Sequence, residues 1–253
     1  MTRYDAVVLA GGAAGRLGGA DKPGLPMGGL MLLDRVLAAC AGADRTVVVG
    51  PRRPTSRPVR WTREEPPGGG PLPALAAGLA ALDDAHRSGA DAVEGRLSEV
   101  VLVFAADLPF LTAATVDALA AALAARLSGA ASGAEDGGGP AARPAAGTEA
   151  RAAAERTGGS VDSGVSDWDG VMLTDPGGRD QPLAAAYRTE ALRRELALIG
   201  TEHGRLTGLP LRLLTGELRL LRMADPTGES TFDCDTWEDV AVARARLDDR
   251  SEG

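Results

Sequence analysis

The chain has 253 residues, 44% apolar and 25% charged, the balance of a globular protein built as one large domain or a domain with an appendage. A net charge of −8 without any basic stripe excludes a general nucleic-acid binder. Two cysteines that form no CxxC pair and two histidines exclude a zinc centre, and no apolar run approaches the roughly 20 residues that cross a bilayer. The N-terminus has Asp5 ahead of a short apolar stretch and lacks the layout of a signal peptide. A soluble, cytoplasmic protein with no membrane and no nucleic-acid partner is therefore expected.

Asp5–Ala10 reads as a strand emptying into a glycine-rich loop. Leu30–Ala41 has helical spacing, Arg45–Gly50 is a second strand and Val59–Thr62 a short third. Pro71–Arg87 reads as a helix with proline in its first turn. Glu99–Ala105 is almost wholly apolar, the pattern of a strand buried on both faces. Thr112–Leu127 follows as a helix with Thr112 at its N-cap. From Ser128 to about Asp167 the sequence is Gly, Ala, Ser, Pro and charge, which cannot bury enough apolar area to offset the entropy of ordering. A disordered insertion is expected over 128–167 within a single domain spanning 1–253, with at most a marginal helix over Ala150–Arg156.

Two strands around a turn at Pro176–Gly178 come next, then a helix from Thr189, a helical stretch at Leu209–Leu214 and a strand at Leu218–Met223. Thr236–Leu247 closes the chain as an amphipathic helix, with Asp235 expected at its N-cap and Glu238 at N3. Strands alternating with helices imply an α/β fold with a mostly parallel central sheet.

The loop after the first strand carries the chemistry. Its Lys22 is the only lysine among 27 Lys and Arg residues. A compact ammonium differs chemically from a planar guanidinium, so its retention here points to a function. The loop is not a P-loop, because Lys22 lies between Asp21 and Pro23 and no Gly-Lys-Ser/Thr exists. It is not a dinucleotide-binding loop either. Its glycines fall as Gly12, Gly15 and Gly18 with no GxG, and the second strand ends in GPRRP with no acid. What remains is a long loop able to wrap backbone N–H groups around a polyphosphate, with Arg16 and Lys22 supplying positive charge.

Asp107 follows the buried strand VLVFAA at the sheet edge where ligands of α/β proteins gather. As a hard oxygen donor it suits magnesium, with phosphates and waters completing the shell. Asp233 and Asp235 stand two residues apart in FDCDTWED, and one of them is expected to reach the metal. Either is a candidate second contact.

The stretch LAGGAAGRLGGADKP (Leu9–Pro23) resembles the L-A-G-G-x-x-x-R-x-G-x-D-K-x motif of the molybdenum cofactor guanylyltransferases. The resemblance continues at EEPPGGGPLPALAAGL (Glu64–Leu79), VLVFAADLPFLT (Val101–Thr112), QPLAAAYR (Gln181–Arg188) and FDCDTWEDV (Phe232–Val240), in family order. Trp237 departs from it, standing where related enzymes have proline. The resemblance implies a Rossmann-like three-layer nucleotidyltransferase fold with helices on both sheet faces. It implies transfer of GMP from GTP to the terminal phosphate of molybdopterin, with release of pyrophosphate and magnesium as cofactor. It places the nucleotide on Leu9, Ala10, Gly11, Gly12, Arg16, Lys22, Glu65 and Asp107, with Glu64 adjacent to the expected acid. Arg16, Lys22 and Asp107 become the catalytic residues and Asp107 the metal ligand. Arg179, Arg188, Arg205 and Arg212 are open candidates for a second anionic substrate. Transient contact with molybdoenzymes or cofactor-handling proteins is implied as well. A cytidylyltransferase for the same pterin, another small-phosphate guanylyltransferase and a non-catalytic GTP-binding protein are the alternatives.

Overall fold

A computed structural model describes residues 2–12, 17–88, 98–128 and 168–251. Arg16 and residues 129–167 of the expected insertion lie outside the described residues.

Among the described residues, seven strands form one sheet: β1 (Asp5–Leu9), β4 (Thr46–Val49), β5 (Arg60–Thr62), β6 (Val100–Ala105), β7 (Gly170–Thr174), β8 (Asp180–Arg188) and β9 (Leu220–Ala224). They lie in the order β5-β4-β1-β6-β8-β7-β9. Four neighbouring pairs are parallel, and within this sheet β8 alone runs against its neighbours β6 and β7. The reversal follows from the tight turn predicted at Pro176–Gly178, closed by Gly178 N–H to Asp175 O at 2.8 Å. So short a connection joins only antiparallel strands.

Helices cover both faces because side chains alternate along each strand. Val8, Leu102, Phe104 and Val171 face α1 (Leu32–Ala39) and α3 (Ala113–Leu127). Val7, Leu9, Val101, Val103 and Met172 face α2 (Pro71–Ser88), α4 (Thr189–His203) and α5 (Arg212–Glu217). Gly78 lets α2 cross β1 closely: a Cβ there would stand 2.6 Å from Val7 Cγ1. Thr112 caps α3 as expected, its hydroxyl accepting from Thr115 N–H at 3.2 Å.

The helix expected from Leu30 begins two residues later. Gly28 and Gly29 take positive φ values of 50° and 80° and turn the chain into a short hairpin of β2 (Pro26–Met27) and β3 (Leu30–Met31). Two positive-φ residues in a two-residue turn are what a tight hairpin needs. Residues of this hairpin share a separate apolar cluster with the last helix, α6 (Trp237–Ser251). Leu17, Met27, Leu32, Phe110, Cys234, Val240, Ala243 and Leu247 build that cluster.

The N-cap of α6 differs from the sequence expectation. Thr236, not Asp235, caps the helix, and Asp239 is its partner. Asp239 N–H donates to Thr236 Oγ1 at 3.2 Å, and Asp239 Oδ2 accepts from Thr236 N–H at 2.7 Å. This reciprocal box satisfies two helix-end donors. Its geometry releases the Asp235 side chain for another use. Thr236→Ala is expected to lower the unfolding free energy by about 1 kcal/mol, read from urea denaturation. An unchanged midpoint would show that the box contributes nothing.

Candidate active site

The site forms where β1 and β6 end side by side. Leu9 pairs with Ala105, and Ala106 N–H donates to Leu9 O at 2.9 Å. The chain leaving β1 enters the glycine loop, and the chain leaving β6 reaches Asp107 two residues later. The loop ends in a single 3-10 turn, Lys22–Gly24, where Pro23 presets the backbone.

Lys22 Nζ lies 2.5 Å from Asp107 Oδ2 and 2.7 Å from Asp235 Oδ1. Three distant segments thus converge on one ammonium. Asp235 arrives on the extended segment before α6, held in place by Cys234 N–H donating to Asp107 O at 3.2 Å. Asp107 Oδ1 is buried without a hydrogen-bond partner among the described residues. Burial opposes the charge on Lys22, but the Asp107 carboxylate and the bonds to Asp107 and Asp235 outweigh it. They hold the amine above its ordinary value of 10.5.

A cavity of about 700 Å³ opens over this cluster. Leu9, Gly11, Gly12, Lys22, Glu64, Gly68, Gly70, Asp107, Leu183 and Asp235 line it. Glu64 is only 5% exposed. Its Oε1 accepts Gly68 N–H at 2.9 Å, while Oε2 is buried with no hydrogen-bond partner among the described residues. Glu65, the expected nucleotide acid, is exposed and is not among the lining residues.

Residues 6–209 match the family model of the MobA-like NTP transferase domain. The chain belongs to that family. It is a nucleotidyltransferase. A Mycobacterium tuberculosis H37Rv protein named "Probable molybdenum cofactor guanylyltransferase" is 30% identical over 208 residues, covering 80% of this chain and 77% of that protein. The crystal structure of molybdopterin-guanine dinucleotide biosynthesis protein A from Archaeoglobus fulgidus superposes with a TM-score of 0.56 at 17% identity, over 97% of this chain and 99% of that one. The 2-C-methyl-D-erythritol 4-phosphate cytidylyltransferase of Thermus thermophilus superposes with a TM-score of 0.55 at 17% identity, over 98% and 99% of the two chains. At these identities the superpositions establish the three-layer fold and leave base choice to the site.

Of the nucleotidyltransferase residues expected from sequence, Leu9, Gly11, Gly12, Lys22 and Asp107 meet in the cavity, while Ala10 lines a smaller one beside it. Asp235 meets them, although it lies beyond the segment matched by the family model. Asp233 is exposed and does not line the cavity. Partial desolvation, then the negative charges of Asp235 and Asp107, raise its carboxyl above the ordinary value. Arg179, Arg188, Arg205 and Arg212 do not line the cavity, and His86 and His203 are both exposed away from it. Burial, then the charge of Asp107, pushes the Cys234 thiol up to about 12, so it is no nucleophile at neutral pH. Burial does the same to Cys40. Among the described residues no helix is long and apolar enough to cross a membrane.

Sequence reasoning leaves Glu64 unassigned and misses Arg53. Glu64 stands beside the expected Glu65, and only the turn through Gly68 shows which acid faces inward. Arg53, in the GPRRP segment, reaches the glycine loop through a contact 32 residues apart in sequence.

Proposed function

We propose that the protein transfers GMP from GTP to the terminal phosphate of molybdopterin and releases pyrophosphate. The observation that carries this reading is the convergence of Lys22, Asp107 and Asp235 beside the glycine loop, at the floor of a nucleotide-sized cavity. The names of the mycobacterial and archaeal relatives support the pterin as acceptor.

Gly11 and Gly12 leave room for the triphosphate to approach the backbone, and Arg16 and Lys22 offset its charge. The attacking phosphate monoester has a second pKa of about 6 and is largely dianionic near neutrality. It therefore needs no general base, in accord with a cavity lined by neither histidine. Its oxygen forms the new bond to the α-phosphorus as the bond to the pyrophosphate oxygen breaks. Lys22 would stabilise the charge that develops in that step.

The residues fit a magnesium ion. The orphaned Asp107 Oδ1 is a hard anionic donor, and a second carboxylate, Asp235, faces the same ammonium. Asp107 and Asp235 would hold the ion, with phosphate oxygens completing its shell. A bound magnesium supplies charge neutralisation on the phosphates.

Glu64 is assigned to the nucleoside. Its buried Oε2 accepts hydrogen bonds only, which suits the N–H edge of guanine. A buried acceptor left unpaired discriminates strongly against the wrong ligand. Calorimetry with GTP and CTP, each with magnesium, tests the reading. GTP should bind more tightly, and Glu64→Gln should weaken GTP by about ten-fold. Preference for CTP would move the protein to the cytidylyltransferases, and unaltered GTP affinity in Glu64→Gln would remove Glu64 from the base site. Pyrophosphate release on adding molybdopterin separates an enzyme from a GTP-binding regulator.

A further inference from the structure

Behind the glycine loop lies a second cavity of about 320 Å³. Gly11, Gly12, Asp21, Lys22, Pro51 and Arg53 are among its walls, and it shares Gly11, Gly12 and Lys22 with the larger cavity. Lys22 therefore stands between the two spaces.

Arg53 comes from the segment after β4 and reaches both ends of the loop. Its Nη2 donates to Asp21 Oδ1 at 2.7 Å and its Nε to Asp21 Oδ2 at 3.2 Å, the two-pronged geometry of a guanidinium on a carboxylate. Nη1 donates to Ala10 O at 3.4 Å. The guanidinium lies over Trp61, 5.9 Å from the ring centre. Arg53 is thus held on several sides, with its side chain only 13% exposed, whereas the Asp21 side chain is 60% exposed. The acid can return to water at little cost, while the arginine cannot leave. A phosphate offers a guanidinium the same paired oxygens as a carboxylate, with more charge.

We propose that the second cavity is the subsite for the pyrophosphate end of the nucleotide, with Arg53 as its cationic wall and Asp21 as the group that occupies Arg53 until phosphate displaces it. This rests on the nucleotidyl-transfer reading above. That reading assigns charge on the triphosphate to Arg16 and Lys22, and the structure adds a rigid third cation aimed at the leaving group. Arg53 then selects triphosphate over monophosphate, and the Asp21 carboxylate weakens retention of the pyrophosphate product.

Calorimetry with inorganic pyrophosphate, GTP and GMP, each with magnesium, on wild type, Arg53→Gln, Asp21→Asn and the double variant tests this. Arg53→Gln should weaken pyrophosphate and GTP by about ten-fold or more and leave GMP unchanged. Asp21→Asn should tighten pyrophosphate several-fold, and that gain should vanish in the Arg53→Gln background, the non-additivity expected of groups in contact. Wild-type pyrophosphate affinity in Arg53→Gln would overturn the proposal. So would equal weakening of GMP and GTP, which would mean that Arg53 only shapes the loop, or an Asp21→Asn gain that persists without Arg53. Should Arg53→Gln fail to fold, Asp21→Asn decides alone: tighter pyrophosphate supports the subsite, and unchanged or weaker binding overturns it. Wild-type protein that binds pyrophosphate through Arg53 but discriminates no nucleotide would sink the guanylyl reading and leave this one standing.

Discussion

Lys22→Ala is expected to lower kcat by about a hundred- to a thousand-fold or more, roughly the loss seen when one preorganised charge donor is removed from a transition state. Among the described residues, its ammonium is the group that touches both Asp107 and Asp235 while lining both cavities. On the proposed reading, removing it takes positive charge from the phosphates, and it leaves Asp107 and Asp235 without their shared counter-ion. Lys22→Arg should not restore the rate, because a planar fork cannot place one compact charge between two carboxylates. Protonation adds a sign to the test. The folded-state amine lies above 10.5, so its contribution to stability is complete below that value. It is lost only as pH rises through the raised value. Lys22 therefore stays charged across neutral pH, and no limb of the rate profile near neutrality should disappear in Lys22→Ala. Near-wild-type turnover in Lys22→Ala would remove the residue from the mechanism.

Asp107→Asn should cost turnover on a similar scale for a different reason. The amide keeps the shape of the carboxylate but removes the negative charge that pairs with Lys22 and would hold magnesium. The separating observation is the magnesium concentration that gives half-maximal rate. It should rise in Asp107→Asn and not in Lys22→Ala. The same rise in both variants would assign metal binding to the pair jointly, and no rise in either would remove Asp107 as a ligand. Because the ion pair is largely shielded, with side chains 15% and 20% exposed, unfolding midpoints of both variants must accompany the rates.

Much of this site is legible in the sequence. A lone lysine in a chain of arginines, after a glycine loop, points by its chemistry to the proposed anion site. A near-continuous apolar strand followed by an aspartate puts a carboxylate at the sheet edge by the topology such strands impose. Other parts resist reading for definite reasons. Glu64 and Glu65 are adjacent, and a step of one residue in an extended chain moves a side chain to the opposite side. Gly68 N–H, four residues on, decides which one is held inside. Asp235 has the right residue type for a helix cap, and so does Thr236. The bond pattern with Asp239 assigns the cap to the threonine. Arg53 carries no local signal, because its partners Asp21 and Ala10 come from another strand's loop.

The catalytic roles proposed for Lys22 and Asp107 come with the family resemblance, whereas the α/β alternation, the apolar strands and the positive charge of the glycine-rich loop follow from the amino-acid order. They rest on periodicity, turn-forming residues and functional-group type, which act locally along the chain. Three outcomes needed the folded chain: which acid enters the cavity, which aspartate joins Lys22, and that Arg53 closes a second cavity behind the loop. Those outcomes depend on where β1, β4, β6 and the segment before α6 end relative to one another. That placement is set by sheet register and by packing of the two faces, through contacts that no local stretch of sequence contains.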